Sequence, residues 1–482
     1  MYDLTISNAT VVDGTGGERY LATVCIKDEK IVRIERGGGA FPSQSDVDAQ
    51  GLILAPGFID VHTHDDIALI ANPDMVCKTS QGITTVIVGL CGYSPAPFSP
   101  NADIPAEYDI LLQSHSQRFE RFADYLEAVK QAKPSVNYLG LVGHSTLRLS
   151  VMDDVNRPAT DREIAKMADL LVDSMNAGAI GLSSGLAYSM AQKSDTRELI
   201  ELCKAMSDRN GFYVTHIRNE ADGMIDGVKE ALKIGRDADV PVIFSHHKAM
   251  CDHNHGTTKH SLKLIDAAAA EQTLALDVYP YCYSSTSLTR ERALRGGHIV
   301  IARSDPMPQM VGKSLCEVAE LLNCSEADAV DQLAPAGALY YLMSEDDVQR
   351  VMKYPMTMIG SDGLPFDEKP HPRLWGTFPR VLSRYVRDIP VYSLEEAVHR
   401  MTGLPSKVFG LKNRGVIAEG NFADMVLFSE TEVADQATAD QPKKTSKGIA
   451  AVFVAGKPPS EHQGKSLESR HVLPCAGSDN PV

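Results

Sequence analysis

Short apolar runs alternate with longer segments of helical periodicity through the middle of this chain. Three segments, 161–176, 197–209 and 222–235, have the spacing of amphipathic helices. Strands that alternate with helices are typical of βα units and a parallel sheet. The strand candidates are 58–61, 84–88, 138–142, 179–182, 212–215, 241–245, 274–278 and 356–360. Eight parallel strands close a (β/α)8 barrel, so the pattern predicts an α/β protein with a TIM-like barrel.

The two ends of the chain have a different pattern. Short alternating segments separated by turns rich in Gly and Asp occupy residues 1–57, and a similar texture returns at 423–428 and 448–457. This pattern is typical of antiparallel strands. We therefore predict that residues 1–57 and 411–482 together build a small β-sandwich beside a barrel of residues 58–410. From about residue 458 the chain is polar and rich in Ser, Gly and Pro, which predicts a loosely held tail.

One connection departs from the barrel rhythm. Residues 284–344 separate the seventh and eighth predicted strands, which is far longer than an ordinary loop of a βα unit. The segment contains Arg290, Arg292 and Arg295 and a helical stretch near 315–333. We interpret it as an inserted subdomain or lid; the alternative is a crossover helix with a long surface loop.

Composition narrows the possible partners. The formal charge of the 482 residues is -16, which argues against nucleic acid or an anionic membrane surface as a partner. The N-terminus lacks the basic residues of a signal peptide and no run is long and apolar enough to span a bilayer, so we expect a cytosolic protein. Nine cysteines without paired spacing indicate reduced thiols. A small-molecule substrate fits these properties; the oligomeric state is left open.

Nearly every predicted barrel strand ends in a polar or reactive residue. The strand-end residues are His62 and His64, Cys91, His144, Ser183 and Ser184, His216, His246, Tyr279 and Asp362. Active sites of such barrels lie at the carboxyl ends of the strands. We therefore expect these side chains to form the rim of one pocket.

Histidines within this set predict a metal site. His62 and His64 are two positions apart, so in a strand both imidazoles point to one face. Alone, such a pair is more often a pair of surface histidines. His216 and His246 end two later strands, and a barrel would bring them to the same rim. Cys91 would arrive there too, and its thiolate is a good zinc ligand.

Further residues suggest how such a site would act. Asp362 is the expected acid–base group, because a carboxylate beside an activated water can take its proton and return it to a leaving nitrogen. Lys248 lies two residues beyond His246, and Arg373 follows the last strand. A guanidinium there could hold a substrate carboxylate with two hydrogen bonds, although both cations could equally be surface charges.

Several motifs resemble a known family. The segment Pro56-Gly-Phe-Ile-Asp-Val-His-Thr-His, with strand-end histidines and an aspartate, is similar to the amidohydrolase superfamily. A closer resemblance, to the N-acyl-D-amino-acid deacylases or D-aminoacylases, runs from about residue 3 to 458. It is carried by Val142-Gly-His-Ser-Thr-Leu-Arg, Gly181-Leu-Ser-Ser-Gly-Leu, Ser245-His-His-Lys, Asp277-Val-Tyr-Pro-Tyr, Gly360-Ser-Asp-Gly-Leu-Pro and His371-Pro-Arg-Leu-Trp-Gly-Thr-Phe-Pro-Arg.

The resemblance implies roles for the candidate residues. It assigns one tightly bound Zn²⁺ to Cys91, His216 and His246, and a second, weaker metal position to His62, His64 and Asp362. The residues that it assigns to the substrate carboxylate are Arg373, Lys248, Tyr279 and Ser285. Many amidohydrolases bridge two metals through a carboxylated lysine on the fourth strand; here that strand has no lysine, and Cys91 fits the bridging role. The preference for D substrates is implied by the resemblance alone.

These observations predict a zinc enzyme that hydrolyses the linear amide of N-acyl-D-amino acids. One alternative is a cyclic amidohydrolase acting on hydantoins or dihydropyrimidines, and another is a catalytically silent scaffold barrel. The substrate side chain is left open. Arg290, Arg292 and Arg295 could read an acidic group or form a solvated charged face, and an apolar side chain is an equal alternative.

Overall fold

A computed structural model describes residues 1–99, 102, 104, 105, 108 and 117–469. The strands are β1 (Tyr2–Val11), β2 (Tyr20–Lys27), β3 (Lys30–Arg36), β4 (Ser43–Asp48), β5 (Ile53–Pro56), β6 (Phe58–Asp60), β7 (Ile83–Val88), β8 (Asn137–Gly140), β9 (Val142–Gly143), β10 (Gly181–Gly185), β11 (Phe212–His216), β12 (Val242–Phe244), β13 (Leu274–Val278), β14 (Ser284–Ser287), β15 (His298–Ser304), β16 (Ala336–Tyr341), β17 (Thr357–Ile359), β18 (Met425–Phe428) and β19 (Ile449–Phe453).

The α-helices are α1 (Ala68–Ala71), α2 (Val76–Thr79), α3 (Phe122–Ala132), α4 (His144–Val151), α5 (Asp161–Asn176), α6 (Ser189–Gln192), α7 (Thr196–Lys204), α8 (Met224–Ala238), α9 (Thr258–Ala268), α10 (Arg290–Ala293), α11 (Leu315–Leu322), α12 (Glu326–Leu333), α13 (Glu345–Met352), α14 (Arg373–Leu382), α15 (Leu394–Met401) and α16 (Gly403–Val408). A π-helical segment, Ser383–Asp388, continues α14, and short 3₁₀ turns occur at Ser207–Arg209, Asp252–Asn254, Pro308–Met310 and Pro459–Glu461.

Two parallel sheets carry the predicted barrel strands. One has three strands in the order β6-β7-β8, and the other has six in the order β9-β10-β11-β12-β13-β17. Only Leu141 separates β8 from β9 in the chain. These strands overlap all eight predicted runs, and most of their residues are buried, as expected for parallel strands covered on both faces.

Strands from the two ends of the chain form a third sheet. Its order is β19-β18-β5-β1-β2-β3, and β4 also pairs with β1. The pairing of β1 with β2 shifts register between Ile6 and Ala9. Asn8 accounts for this shift, because its φ of 54° lies in the left-handed region and disrupts the extended strand.

The connection between β13 and β17 contains its own antiparallel sheet. This sheet has three strands in the order β14-β16-β15 and packs with α11 and α12 around a separate apolar cluster. The predicted single helical stretch near 315–333 is wrong in one respect, because it consists of two helices. Asn323 ends α11 in a left-handed conformation, and the Ser325 side chain caps the start of α12.

The C-terminal segment is held more firmly than its composition predicted. The backbone N of Tyr138 donates to the Lys465 carbonyl, and the N of Leu467 donates to the Tyr138 carbonyl, so this segment runs beside β8. The Ser469 hydroxyl also donates to the Phe409 carbonyl over 2.5 Å. The prediction of a loose tail is therefore wrong up to residue 469, and residues 470–482 lie outside the described part.

A buried ion cluster fixes the end of β6. Lys78 Nζ lies 2.9 Å from Asp60 Oδ2 and 3.1 Å from Asp65 Oδ2, and it donates to the Ser361 hydroxyl. All three charged side chains are fully buried. Because Ser361 follows β17, this cluster ties the first predicted barrel strand to the last.

None of the helices in the described part of the chain combines the length and the apolar character that crossing a membrane requires.

Candidate metal centre

The six predicted ligands meet at the carboxyl ends of the parallel strands. His62 and His64 follow β6, Cys91 follows β7, His216 ends β11 and His246 follows β12, while Asp362 follows β17. All are buried. The side chains of His62, Cys91, His246 and Asp362 form a group whose ligand atoms lie within 4.8 Å of one another.

The distances around Cys91 fit a tetrahedral zinc site. Cys91 Sγ lies 3.3 Å from His62 Nε2, 3.4 Å from His246 Nε2 and 3.9 Å from His216 Nδ1. A thiolate and an imidazole that share one tetrahedral zinc lie about 3.6 Å apart, given Zn–S and Zn–N bonds of about 2.3 and 2.1 Å. Sulfur and imidazole nitrogen are the donors that zinc prefers, so these residues fit the ion.

The electrostatic surroundings favour a thiolate at Cys91. Burial alone would raise the pKa of this thiol, but the neighbouring His62, His246 and His216 lower it well below its ordinary value. A thiolate at this position is the form in which cysteine binds a metal.

Asp362 lies between two histidines and an arginine. Its Oδ1 is 3.4 Å from His62 Nε2 and 3.2 Å from His64 Nε2, and its Oδ2 is 2.8 Å from Arg373 Nη1. Burial would raise the pKa of this carboxyl, but the Arg373 guanidinium and the histidines hold it well below its usual range. Asp362 is therefore a carboxylate that can bind a cation or accept a proton.

Three residues of this group have left-handed backbones. The φ angles of Cys91, His246 and Asp362 are 53°, 34° and 50°. Such conformations cost a residue with a side chain about 1–3 kcal/mol and are concentrated at functional sites. Each of the three lies two or three residues beyond the end of a strand, so the left-handed turn bends the chain there.

Asp277 is a supporting residue that the sequence motifs contain but whose role was not predicted. It belongs to β13, and its Oδ2 lies 3.1 Å from His62 Nδ1 while its Oδ1 accepts a hydrogen bond from the His246 backbone N over 2.8 Å. One buried carboxylate thus orients two strand-end histidines. Its position between them becomes evident only when neighbouring strands are in register.

Glu220 is a second buried carboxylate that sequence reasoning missed. Its side chain contacts His216, His246 and Lys248, and His216, Glu220 and His246 form a second group of candidate ligands. Burial would raise the pKa of Glu220, but the neighbouring His216 and Lys248 charges hold it well below its usual value. Glu220 is four residues beyond the end of β11, so the strand pattern gave no signal for it.

The four predicted substrate contacts lie close together. Lys248 and Arg373 are 5% and 1% exposed, so the alternative that they are surface charges is wrong. The Arg373 guanidinium lies 4.4 Å from the centre of the Tyr279 ring, and its Nη2 donates to the Ser285 carbonyl over 3.1 Å. Arg373 Nε and the Ser285 hydroxyl are buried and have no hydrogen-bond partner within the described ranges. Buried polar atoms of this kind call for a ligand.

A cleft opens in front of these groups. Its lining includes His64, His216, His246, Lys248, Tyr279, Ser285 and Asp362, together with Arg292 and Arg295 of the inserted segment. Arg290 instead pairs with Asp328 and Asp331 on the surface. Of the three arginines considered from the sequence, two therefore face the cleft.

Other strand-end residues lie outside the ligand group. His144 lies 2.7 Å from Glu198 Oε1, and Glu198 is also paired with Arg148, all of them buried. Ser183 and Ser184 are occupied by hydrogen bonds to the neighbouring backbone and side chains. The prediction that His144 belongs to the rim of the pocket is therefore not supported by its contacts, which are structural.

The fold and the ligand group are those of a metal-dependent hydrolase with strand-end ligands, and the chain belongs to the amidohydrolase family. The model of that family, Amidohydro_3, matches residues 46–294 and 253–458. This confirms the family predicted from the sequence.

Curated relatives place the chain within one branch of the family. Three of them, all from Alcaligenes xylosoxydans xylosoxydans, match this chain over nearly its whole length. A D-aminoacylase is 46% identical over 96% of this chain and 95% of its own length. An N-acyl-D-aspartate deacylase is 45% identical over 94% of this chain and 91% of its own length. An N-acyl-D-glutamate deacylase is 43% identical over 96% of both chains. These identities are too similar to select one substrate side chain.

Solved structures agree with this placement. A D-aminoacylase structure described by one-metal activation and second-metal attenuation of a binuclear centre has a TM-score of 0.94 at 44% identity, covering 97% of this chain and 100% of its own. An N-acyl-D-glutamate deacylase from Bordetella bronchiseptica, complexed with zinc and a phosphonate mimic of the tetrahedral intermediate, has the same TM-score and coverages at 42% identity. A D-hydantoinase at 16% identity and a TM-score of 0.58 shares the fold alone.

Proposed function

We propose that this protein is a zinc-dependent hydrolase that cleaves N-acyl-D-amino acids to a carboxylate and a free D-amino acid. The observation that carries the proposal is the buried group of Cys91, His216 and His246 beside Asp362, at spacings that suit zinc. The names of the three curated relatives and the zinc–phosphonate complex support the same reaction.

The ligands divide into two positions. We assign the firmly bound Zn²⁺ to Cys91, His216 and His246, and a weaker second position to His62, His64 and Asp362. Cys91 lies within 4 Å of a histidine of each set, so its thiolate is placed to be shared. When bound, zinc supplies Lewis-acid polarisation of the amide carbonyl and lowers the pKa of the attacking water.

Asp362 is the residue to which we assign the proton transfers. As the water oxygen forms a bond to the carbonyl carbon, Asp362 accepts one of the water protons. The carbon–nitrogen bond then breaks, and Asp362 delivers that proton to the leaving amino group. The Asp362 backbone N donates to the His62 carbonyl over 2.8 Å, which helps to hold the carboxylate at the metal position.

We assign the substrate α-carboxylate to Arg373, with Tyr279 and Ser285 beside it. Tyr279 and Ser285 line the cleft, and Arg373 lies directly behind the Tyr279 ring. Lys248, the fourth residue predicted there, has its Nζ already held by Glu220 and His246. Arg292 and Arg295 on the cleft wall favour acidic substrate side chains, because a guanidinium pairs well with a carboxylate.

A substrate panel tests the reaction. N-acetyl-D and N-acetyl-L forms of glutamate, aspartate, leucine and methionine are assayed by release of the free amine. We expect turnover of the D series, with higher kcat/KM for the two acidic substrates. Higher turnover of the L series would overturn the stereochemical assignment.

Hydantoin and dihydrouracil belong in the same panel, because they test the cyclic amidohydrolase alternative. β10, Gly181–Gly185, contains no lysine that could bridge two metals, which argues against that alternative. Absence of both zinc and amidase activity in the purified protein would instead favour a silent scaffold.

A substitution of Arg373 tests the α-carboxylate assignment. We expect Arg373→Met to lower kcat/KM for an N-acetyl-D-amino acid by about 10- to 100-fold, because a charge-assisted hydrogen bond contributes about 1.5–3 kcal/mol. The corresponding N-acetyl-D-amino-acid amide, which lacks the carboxylate, is assayed alongside. An equal fall for both compounds would show general damage, since Arg373 also pairs with Asp362.

We also propose the finer architecture that the sequence predicts. Closure of the eight parallel strands into a barrel is supported by the bond from the Asp362 N to the His62 carbonyl, which joins the ends of β17 and β6. A β-sandwich of residues 1–57 and 411–482 is supported by a buried apolar cluster drawn from both ends. The barrel of residues 58–410, the 284–344 lid and the cytosolic location stay predictions.

A further inference from the structure

Glu220 contacts both of the histidines that we assign to the firmly bound zinc. Its Oε1 lies 3.1 Å from His246 Nδ1, and its Oε2 lies 3.5 Å from His216 Nε2. On each ring these are the nitrogens opposite to those that approach Cys91, which are His246 Nε2 and His216 Nδ1. The two oxygens of one carboxylate are thus divided between two imidazoles.

This division has a chemical consequence for the ring nitrogens. A neutral imidazole that binds a metal through one nitrogen carries its proton on the other, and that N–H needs an acceptor. Glu220 lies within ion-pair distance of both of these nitrogens, and an N–H of each ring directed to it would leave the Nε2 lone pair of His246 and the Nδ1 lone pair of His216 for the metal. Since Glu220 is only 5% exposed, water offers little competing acceptor.

Lys248 contributes to the same arrangement. Its Nζ donates to Glu220 Oε1 over 2.5 Å and to the His246 carbonyl over 3.1 Å. Its Nζ also lies 2.8 Å from His246 Nδ1; once that nitrogen carries a proton it has no lone pair, so Nζ then donates only to Glu220 and the carbonyl. Lys248 therefore fixes the Glu220 carboxylate in place and balances its buried charge.

We infer that Glu220 is a positioning residue that orients both zinc-binding histidines and is itself held in place by Lys248. The inference rests on the proposed zinc site of Cys91, His216 and His246.

The first test measures zinc affinity in the whole protein by competition with a chelator of known affinity. In Glu220→Gln the side-chain oxygen can still accept from one imidazole, but the amide NH₂ cannot accept from the other. We expect zinc affinity to fall by about 10- to 100-fold, the usual effect of removing such a partner. The control is Asp222→Asn, which changes a carboxylate two residues away that is 78% exposed; its zinc affinity is expected to match the wild type.

Two further measurements separate positioning from the other roles of Glu220. The absorption spectrum of the cobalt-substituted protein should change in Glu220→Gln, because the histidine orientations change, while the KM for the best N-acetyl-D substrate stays within about threefold. Unchanged zinc affinity and an unchanged cobalt spectrum would overturn the inference. Loss of a carboxylate from the inner coordination shell, seen by X-ray absorption, would make Glu220 a ligand and overturn it as well.

A double-mutant cycle tests the role of Lys248. If Lys248 acts through Glu220, Lys248→Met lowers zinc affinity, and the Glu220→Gln/Lys248→Met double variant is no worse than the weaker single variant. Wild-type zinc affinity in Lys248→Met would overturn this part. A wild-type protein without tightly bound zinc would instead contradict the proposed function, so the two failures are distinguishable.

Discussion

Replacing Asp362 by asparagine is expected to lower kcat by about 10²- to 10⁴-fold while most of the zinc stays bound. Asparagine has nearly the same shape, but its amide cannot accept a proton from the attacking water. Cys91, His216 and His246 keep their donor atoms in this variant. The measurement is kcat for the best N-acetyl-D-amino acid, together with the zinc content of the purified and dialysed protein.

Asp252→Asn is the matched control for this experiment. It makes the same chemical change at a side chain that is 93% exposed, so kcat should equal that of the wild type. A fall in kcat of less than about tenfold in Asp362→Asn would be smaller than the smallest expected effect. Another group would then have to carry the proton.

The second large effect is expected from Cys91→Ser. A serine hydroxyl stays protonated where the thiol ionises, so it replaces a strong zinc donor by a weak one. Because Cys91 Sγ lies within 4 Å of three histidines, this change weakens the centre of the ligand group. We expect loss of most of the zinc and a fall in kcat/KM of more than about 100-fold, since even outer-shell changes reach that size.

Zinc content and kcat/KM are measured before and after zinc is added back to the Cys91→Ser protein. Cys316→Ser is the control, because it removes an exposed thiol of the inserted segment and should change neither quantity. A Cys91→Ser protein with a full complement of zinc would contradict the assignment of Cys91 to the firmly bound ion.

The positions of the central parallel strands could be anticipated because two signals coincide. Each buried parallel strand is a short apolar run, and several of these runs stop directly at a histidine, a cysteine or an aspartate. The pattern therefore located both the strands and the edge at which the ligands meet. The division of the predicted helix at Asn323 was missed, although Asn is a common left-handed C-cap and Ser325 a common N-cap.

The candidate ligands were predictable for the same reason, whereas their supports were not. Asp277 lies inside a strand and Glu220 lies in a loop, so neither occupies a strand-end position. Their importance comes from distances to histidines of other strands, which no spacing along the chain encodes. The burial of Lys248 and Arg373 was equally unpredictable, since Lys and Arg side chains are usually exposed.

The sheet that contains strands from both ends of the chain can be completed only late in synthesis, after its C-terminal strands have been made. β5 pairs with β18, so that Leu54 lies opposite Leu427. At a translation rate of about 5–20 residues per second, the edge of β5 waits on the order of tens of seconds for its partner. An unpaired strand edge is a site for association with other chains, so chaperone binding to the nascent N-terminal segment should persist until β18 leaves the ribosome.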